Sequence, residues 1–162
     1  MATAAEDLDG QGIADALVAS HAALLAAECQ ELVLAVRWAD LHPAESLEPR
    51  PVLAGMGRTK RFGGCGTPEA GEFCAAELAV LTGRSVGAAA TLIADALDLR
   101  HRLPLLWTAL GAGSVPAWQA RHVAKRTRAT GLSREQARDV DRTKTHGPGW
   151  RCLLYTSPSP RD

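Results

Sequence analysis

Between residues 43 and 68 the chain carries Pro43, Pro49, Pro51, Gly55, Gly57, Gly63, Gly64, Gly66 and Pro68. Proline removes a backbone donor and fixes φ, and glycine loses the most entropy on ordering, so no stable element is expected to run through this stretch. The fold must therefore be assembled from what lies on either side, with residues 43–68 as a linker. A connection this long is unusual inside a compact domain and is expected to be partly mobile. Upstream, residues 11–42 read as one long helix. Leu17, Leu24, Leu25, Leu32 and Val36 recur at helical spacing on one broad face, and Glu28 within that face keeps its burial incomplete. His42-Pro43 closes the helix, because proline restricts the residue before it. Residues 1–10 are expected to be a disordered N-terminus.

Downstream, residues 69–144 read as a bundle of short helices. Thr67-Pro68-Glu69 offers a capping hydroxyl, a first-turn proline and an acid. That predicts a helix to about Thr82, with Phe73, Leu78 and Leu81 among its apolar residues, stopped by Gly83. Ser85 caps a second helix to about Arg102, with Val86, Ala89, Leu92, Ile93, Ala96 and Leu97 inward. A third runs from Pro104 to about Ala112, and a fourth follows Val115-Pro116 to about Arg128 and carries Trp118, Ala120, Val123 and Ala124. Ser133-Arg134-Glu135-Gln136 resembles a capping box, slightly out of register, before a last helix from about residue 134. Aromatic and β-branched residues are sparse and no strand signal competes, so the expected fold class is all-α. Leu92, Ile93, Leu97, Leu105, Leu106, Trp107, Trp118 and Val123 supply most of the large apolar side chains and are the expected core.

The formal charge is zero but unevenly spread. Residues 1–50 hold nine acids against two bases, and residues 99–151 hold eleven bases against three acids. Such a basic third can approach nucleic acid, be solvated, or balance the acidic third within the fold. Within it Arg121, Lys125 and Arg128 share one helix face at i, i+4 and i+7. They are the candidate nucleic-acid contacts, directed at phosphate rather than at base edges. The Ala79, Gly83, Val86, Leu92 pattern suits a helix-turn-helix, but its second helix begins Val-Gly-Ala-Ala-Ala-Thr and carries Asp95 and Asp98, poor partners for bases or phosphates. An αα-hairpin used for packing fits that pair better. The two aspartates fall on one face and read as solvated charge.

His21, His42, His101, His122 and His146 are scattered and form no metal motif, and no nucleotide or nucleophile motif is present. Cys29, Cys65 and Cys74 have neither zinc spacing nor an even count. The acidic start is not a signal peptide, and no stretch reads as an uninterrupted membrane span. The expectation is a cytoplasmic protein with free thiols and no membrane contact.

The last eleven residues, Cys152-Leu-Leu-Tyr-Thr-Ser-Pro-Ser-Pro-Arg-Asp162, resemble a translated sequencing adapter. The chain is therefore expected to be a fragment whose own sequence stops near Arg151, with 145–151 as a truncated end and a frame error after Arg142 as one explanation of Thr-Lys-Thr-His-Gly-Pro-Gly-Trp. Within the rest, four segments stand in a recognisable order: Arg37-Trp38-Ala39-Asp40-Leu41-His42-Pro43; Gly66-Thr67-Pro68-Glu69 with Glu72-Phe73 and Glu77-Leu78; Ala94-Asp95 through Arg102-Leu103-Pro104 with Leu106-Trp107; and Val115-Pro116-Ala117-Trp118-Gln119-Ala120-Arg121. Over residues 15–141 they resemble the domain of unknown function that precedes the HNH endonuclease module in actinobacterial proteins. The resemblance implies a helical, non-catalytic N-terminal accessory domain that positions DNA or mediates assembly, self-association included. The alternative is a protein–protein interaction module with no nucleic-acid role. The resemblance also implies a metal-dependent endonuclease as the parent protein, but no catalytic residue carries over. Residues 1–151 contain no Asn and no ββα hairpin signal, so the divalent metal would belong to the nuclease module and no cofactor is expected in this fragment.

Overall fold

The computed structural model describes residues 7–43 and 58–145. The expectations for residues 1–6, for 44–57 of the linker and for the truncated end and adapter-like tail beyond 145 lie outside the described residues. The architecture is all-α. Six helices are described: α1 (Gly10–Asp40), α2 (Cys74–Thr82), α3 (Val86–Arg102), α4 (Pro104–Gly111), α5 (Ala117–Ala129) and α6 (Arg134–Thr145). One small ribbon joins them, β1 (Thr59–Lys60) paired antiparallel with β2 (Ala70–Gly71).

Local chemistry accounts for most of the helix ends. The Asp9 carboxylate accepts from Gly12 N–H at 2.8 Å and starts α1. Gly83, at φ +64°, ends α2 in the left-handed conformation that a side chain would resist. Ser85 Oγ accepts from Ala88 N–H and starts α3, which leaves α2 at 110°. Ser133 and Gln136 cap α6 reciprocally, at 2.9 and 3.2 Å. The capping box is thus in register, with Gln136 rather than Glu135 as its third-position partner.

The segment before α2 departs from expectation. Residues 58–68 were read as linker and Thr67-Pro68-Glu69 as a helix start. Instead the chain pairs Thr59–Lys60 with Ala70–Gly71 across a turn at Cys65-Gly66, Pro43 bridges to Ala70, and the helix waits until Cys74. The Thr67 hydroxyl donates to Gly64 C=O at 2.9 Å rather than capping a helix. Tertiary contacts decide this: Phe62 and Ala70 are buried against α1 and α3, and two residues per strand suffice once those side chains are anchored. Gly64 is not a breaker here. A Cβ on it would lie 2.0 Å from Arg102 Nη1, so its missing side chain is the space into which that guanidinium packs.

Helix α3 is the hub, packed by α1, α2, α4, α5 and α6. Every residue from Leu92 to Leu99 is buried. The second helix of the helix-turn-helix-like pair is therefore the centre of the bundle, not an element free to enter a DNA groove. Small residues such as Ala35, Ala96 and Ala120 line the α1, α3 and α5 contacts within the larger apolar cluster. Of the expected core, Leu92, Ile93, Leu97, Leu106 and Val123 are buried. Trp107 is only half-buried, while Leu105 (37% exposed) and Trp118 (49%) face solvent. Leu32, Val36, Leu99, Leu103 and Leu110 complete the core in their place.

The long helix also corrects its forecast. With 31 residues it is about 46 Å long, whereas the 17-residue hub spans about 25 Å. It overhangs. Leu32, Ala35, Val36 and Ala39 are buried, but Leu17 (65%) and Leu24 (55%) are exposed. The sequence holds no uninterrupted apolar stretch of bilayer-spanning length. Yet α1 is long and apolar enough by length and composition, because its alanines raise the hydropathy between widely spaced charges.

Candidate functional site

The basic stripe on α5 does not stand open. Arg121 Nε donates to Asp95 at 3.0 Å, and Arg128 reaches Asp95 at 2.7 Å and Asp98 at 2.5 Å. Both carboxylates are buried, at 2% and 0% exposure, so they are not the solvated charges expected from sequence. Asp98 also accepts from Gly64 N–H at 2.7 Å and from Arg102 Nη1 at 3.0 Å. Arg102, itself fully buried, donates its other terminal nitrogen to Leu132 C=O at 2.7 Å. Burial pulls Arg128 toward its neutral form, but hydrogen bonds and charge from Asp95 and Asp98 outweigh it, and its pKa is held above the ordinary value. Lys125 alone of the stripe is exposed and makes no ion pair among the described residues.

This cluster ties α3 to α5, to the 58–68 segment and to the loop before α6. Charges taken out of water are tolerated best when their remaining hydrogen-bonding positions are filled, and here Gly64 N–H and Leu132 C=O fill two of them, while Arg102 Nε has no partner among the described residues. The Asp98–Arg102 pair has the i, i+4 helical spacing, so part of the cluster had a local signal. The partnership with Arg121 and Arg128, 26 and 30 residues on, had none.

The segments that carry the family resemblance meet in the same way. Trp38 Nε1 donates to Cys74 C=O at 2.9 Å. His42 stacks on Trp38 at 4.5 Å and lies 3.0 Å from Glu77. Asp40 pairs with Arg100 at 2.7 Å, the one described link of this kind between the acidic first third and the basic last third. Asp141 accepts from Leu105 and Leu106 N–H at 2.8 and 3.0 Å, so α6 caps α4. Burial pushes the Asp141 carboxyl up, and those two donors only partly reverse it.

Burial, with Glu77 adding to it, pushes the Cys74 thiol up to about 11, the opposite of an activated nucleophile. Among the described residues no three His, Cys, Asp or Glu side chains converge on a point that could hold a metal ion.

What the bundle leaves open is apolar. Every residue from Ile13 to Leu24 is exposed, and Leu25 is the next position along to be partly covered. Where α1 passes the α4–α5 turn, a groove of about 750 Å³ opens between His21–Gln30 and residues 110–118, with Trp118 on its rim. Glu28 is its only charged lining residue and His21 its only histidine. The hydrophobic periodicity sought in the sequence recorded one face of α1. The signal for the open surface was instead the lack of any Asp, Glu, Lys or Arg from residue 16 to residue 27, where Ser20 and His21 are the only polar side chains. No family model matches the chain, and neither a curated protein nor a solved structure does.

Proposed function

We propose that this chain is a non-catalytic accessory domain of an HNH-endonuclease-family protein and that it works by docking, through the overhang of α1, rather than by handling substrate. The observation that carries this reading is the exposure of Ile13, Leu17, Val18 and Leu24 along one helix whose other half is core. A contiguous apolar surface of this kind marks an interaction site. The parent family is supported by the resemblance of residues 15–141 alone. Hydrogen exchange tests the docking. Amides of Ile13–Leu24 should gain protection when the chain is concentrated or joined to an HNH module, and unchanged exchange in both settings would sink the reading.

DNA positioning by Arg121, Lys125 and Arg128 is the second reading, and the exposed Lys125 and Arg126 favour it. Two of its three residues are already bound to Asp95 and Asp98, which leaves their charge locally neutralised. Duplex titrations at stepped salt separate the two readings, because phosphate contacts make log K fall with log salt. A steep slope that flattens in Lys125→Ala would favour DNA. On the docking reading, the chain neither binds duplex DNA in this way nor cuts it with magnesium, manganese or zinc present.

A further inference from the structure

We infer that the partner docked by α1 is a second copy of this chain. The two α1 helices pair antiparallel about a twofold axis near Ser20, and each overhang enters the groove that the other copy forms between its own α1 and its α4–α5 turn. This inference rests on the docking reading above and names its occupant.

Three observations select a second copy. The first is position. The overhang (Ile13 to Ser20) and the groove (His21 to Gln30) lie end to end on one helix. An antiparallel pair centred on Ser20 therefore brings each overhang alongside the other copy's groove, and twofold symmetry makes every such contact twice. The second is charge. From residue 16 to residue 27 the helix has no Asp, Glu, Lys or Arg, so two copies meet without like-charge repulsion. Of the acids further along the helix, Glu31 pairs with Arg84 at 2.7 Å and Asp40 with Arg100 at 2.7 Å, while Asp15 and Glu28 flank the uncharged run.

The third is size. Two helices touching only along their overhangs would fall short of the roughly 800 Å² per partner of a standard interface. The groove and the exposed ring of Trp118 supply further apolar surface, and a half-exposed tryptophan on a groove rim is the type of side chain that anchors interfaces. A bilayer fits the same numbers less well. The run exposed without interruption, Ile13 to Leu24, is twelve residues, against the about 20 that a span needs. From Leu25 onward the bundle covers one side of the helix and buries Leu32, Ala35, Val36 and Ala39.

The test is sedimentation equilibrium on the full chain, with circular dichroism and urea midpoints to confirm folding, and flotation with phosphatidylcholine/phosphatidylglycerol vesicles. Wild type is expected to be dimeric. Leu17→Asp/Val18→Asp, at positions already in solvent, should keep its helicity and weaken the dimer by about 30-fold or more. Trp118→Ala should weaken it in the same direction. A dimer untouched by both variants would overturn the inference by placing the contact elsewhere. A monomeric wild type at its highest soluble concentration would overturn it too. In that case, flotation with vesicles would make the occupant lipid and leave the docking reading standing. No flotation would return the question to α1 amide protection in the protein joined to its HNH module.

Discussion

Over residues 92–99 helix α3 buries Asp95 and Asp98 together with its leucines, whereas over residues 13–24 helix α1 leaves Ile13, Leu17, Val18 and Leu24 in solvent. The two stretches invert what residue type alone assigns to inside and outside. Burying an ion costs several kcal/mol unless it is paired and hydrogen-bonded, and leaving a large apolar side chain exposed forgoes about 1.5–3 kcal/mol. The α3 aspartates are held by Arg102, Arg121, Arg128 and Gly64 N–H. The α1 side chains have no such compensation among the described residues of one copy. In α3, then, unusual burial reflects a scaffold; in α1, unusual exposure is the feature on which the proposed docking rests.

The sharpest way to break this contrast is at Asp98. Replacing it with Ala strands the buried Arg102 and should cost about 3–5 kcal/mol in urea unfolding, with Asp98→Asn in between. A loss near zero would mean that the cluster is dispensable and that α5 is free to act elsewhere. Next in size is Asp141→Ala, which leaves the Leu105 and Leu106 N–H groups without their acceptor and should cost about 1–3 kcal/mol by the same measurement. Trp118→Ala belongs to the open surface and should change the folding free energy of the monomer by only about 0.5–1 kcal/mol. A cost of about 3–5 kcal/mol would be that of a buried tryptophan and would erase the distinction.

The smallest effect is one of pH. Burial lowers the His101 pKa from 6.5, with the Arg100 charge adding to it, and Nε2 is buried without a hydrogen-bond partner among the described residues. The fold therefore favours the neutral ring. Its contribution is present above 6.5 and is lost as pH falls from there through the lower folded value. The urea midpoint of wild type should drop over that window by more than that of His101→Gln. Parallel curves would show that the ring is solvated.

Much of the bundle was legible in the sequence because it rests on local rules. Gly83, Ser85, Pro104 and Gly113 mark helix ends or turns that neighbouring residues alone define. The i, i+3 and i+4 recurrence of Leu92, Ile93, Ala96 and Leu97 picks out the inward face of α3. The candidate site was less legible. Arg121, Lys125 and Arg128 do share a helix, but whether a cation faces solvent or a buried acid depends on what another helix presents. Thr67 shows the same limit: a capping signal lost to a hydrogen bond with Gly64 once the ribbon packed on α1 and α3.

By itself, then, the sequence determined which segments are helical and where most of them stop. These follow from propensity, capping and periodicity, which act over a few residues. Only the tertiary structure decided that Asp95 and Asp98 lie in the core, that Arg121 and Arg128 are bound to them, and that α1 outruns the hub it packs on. Each of these depends on the length and placement of elements far apart in the chain, because burial is a property of the assembled bundle and not of any residue within it.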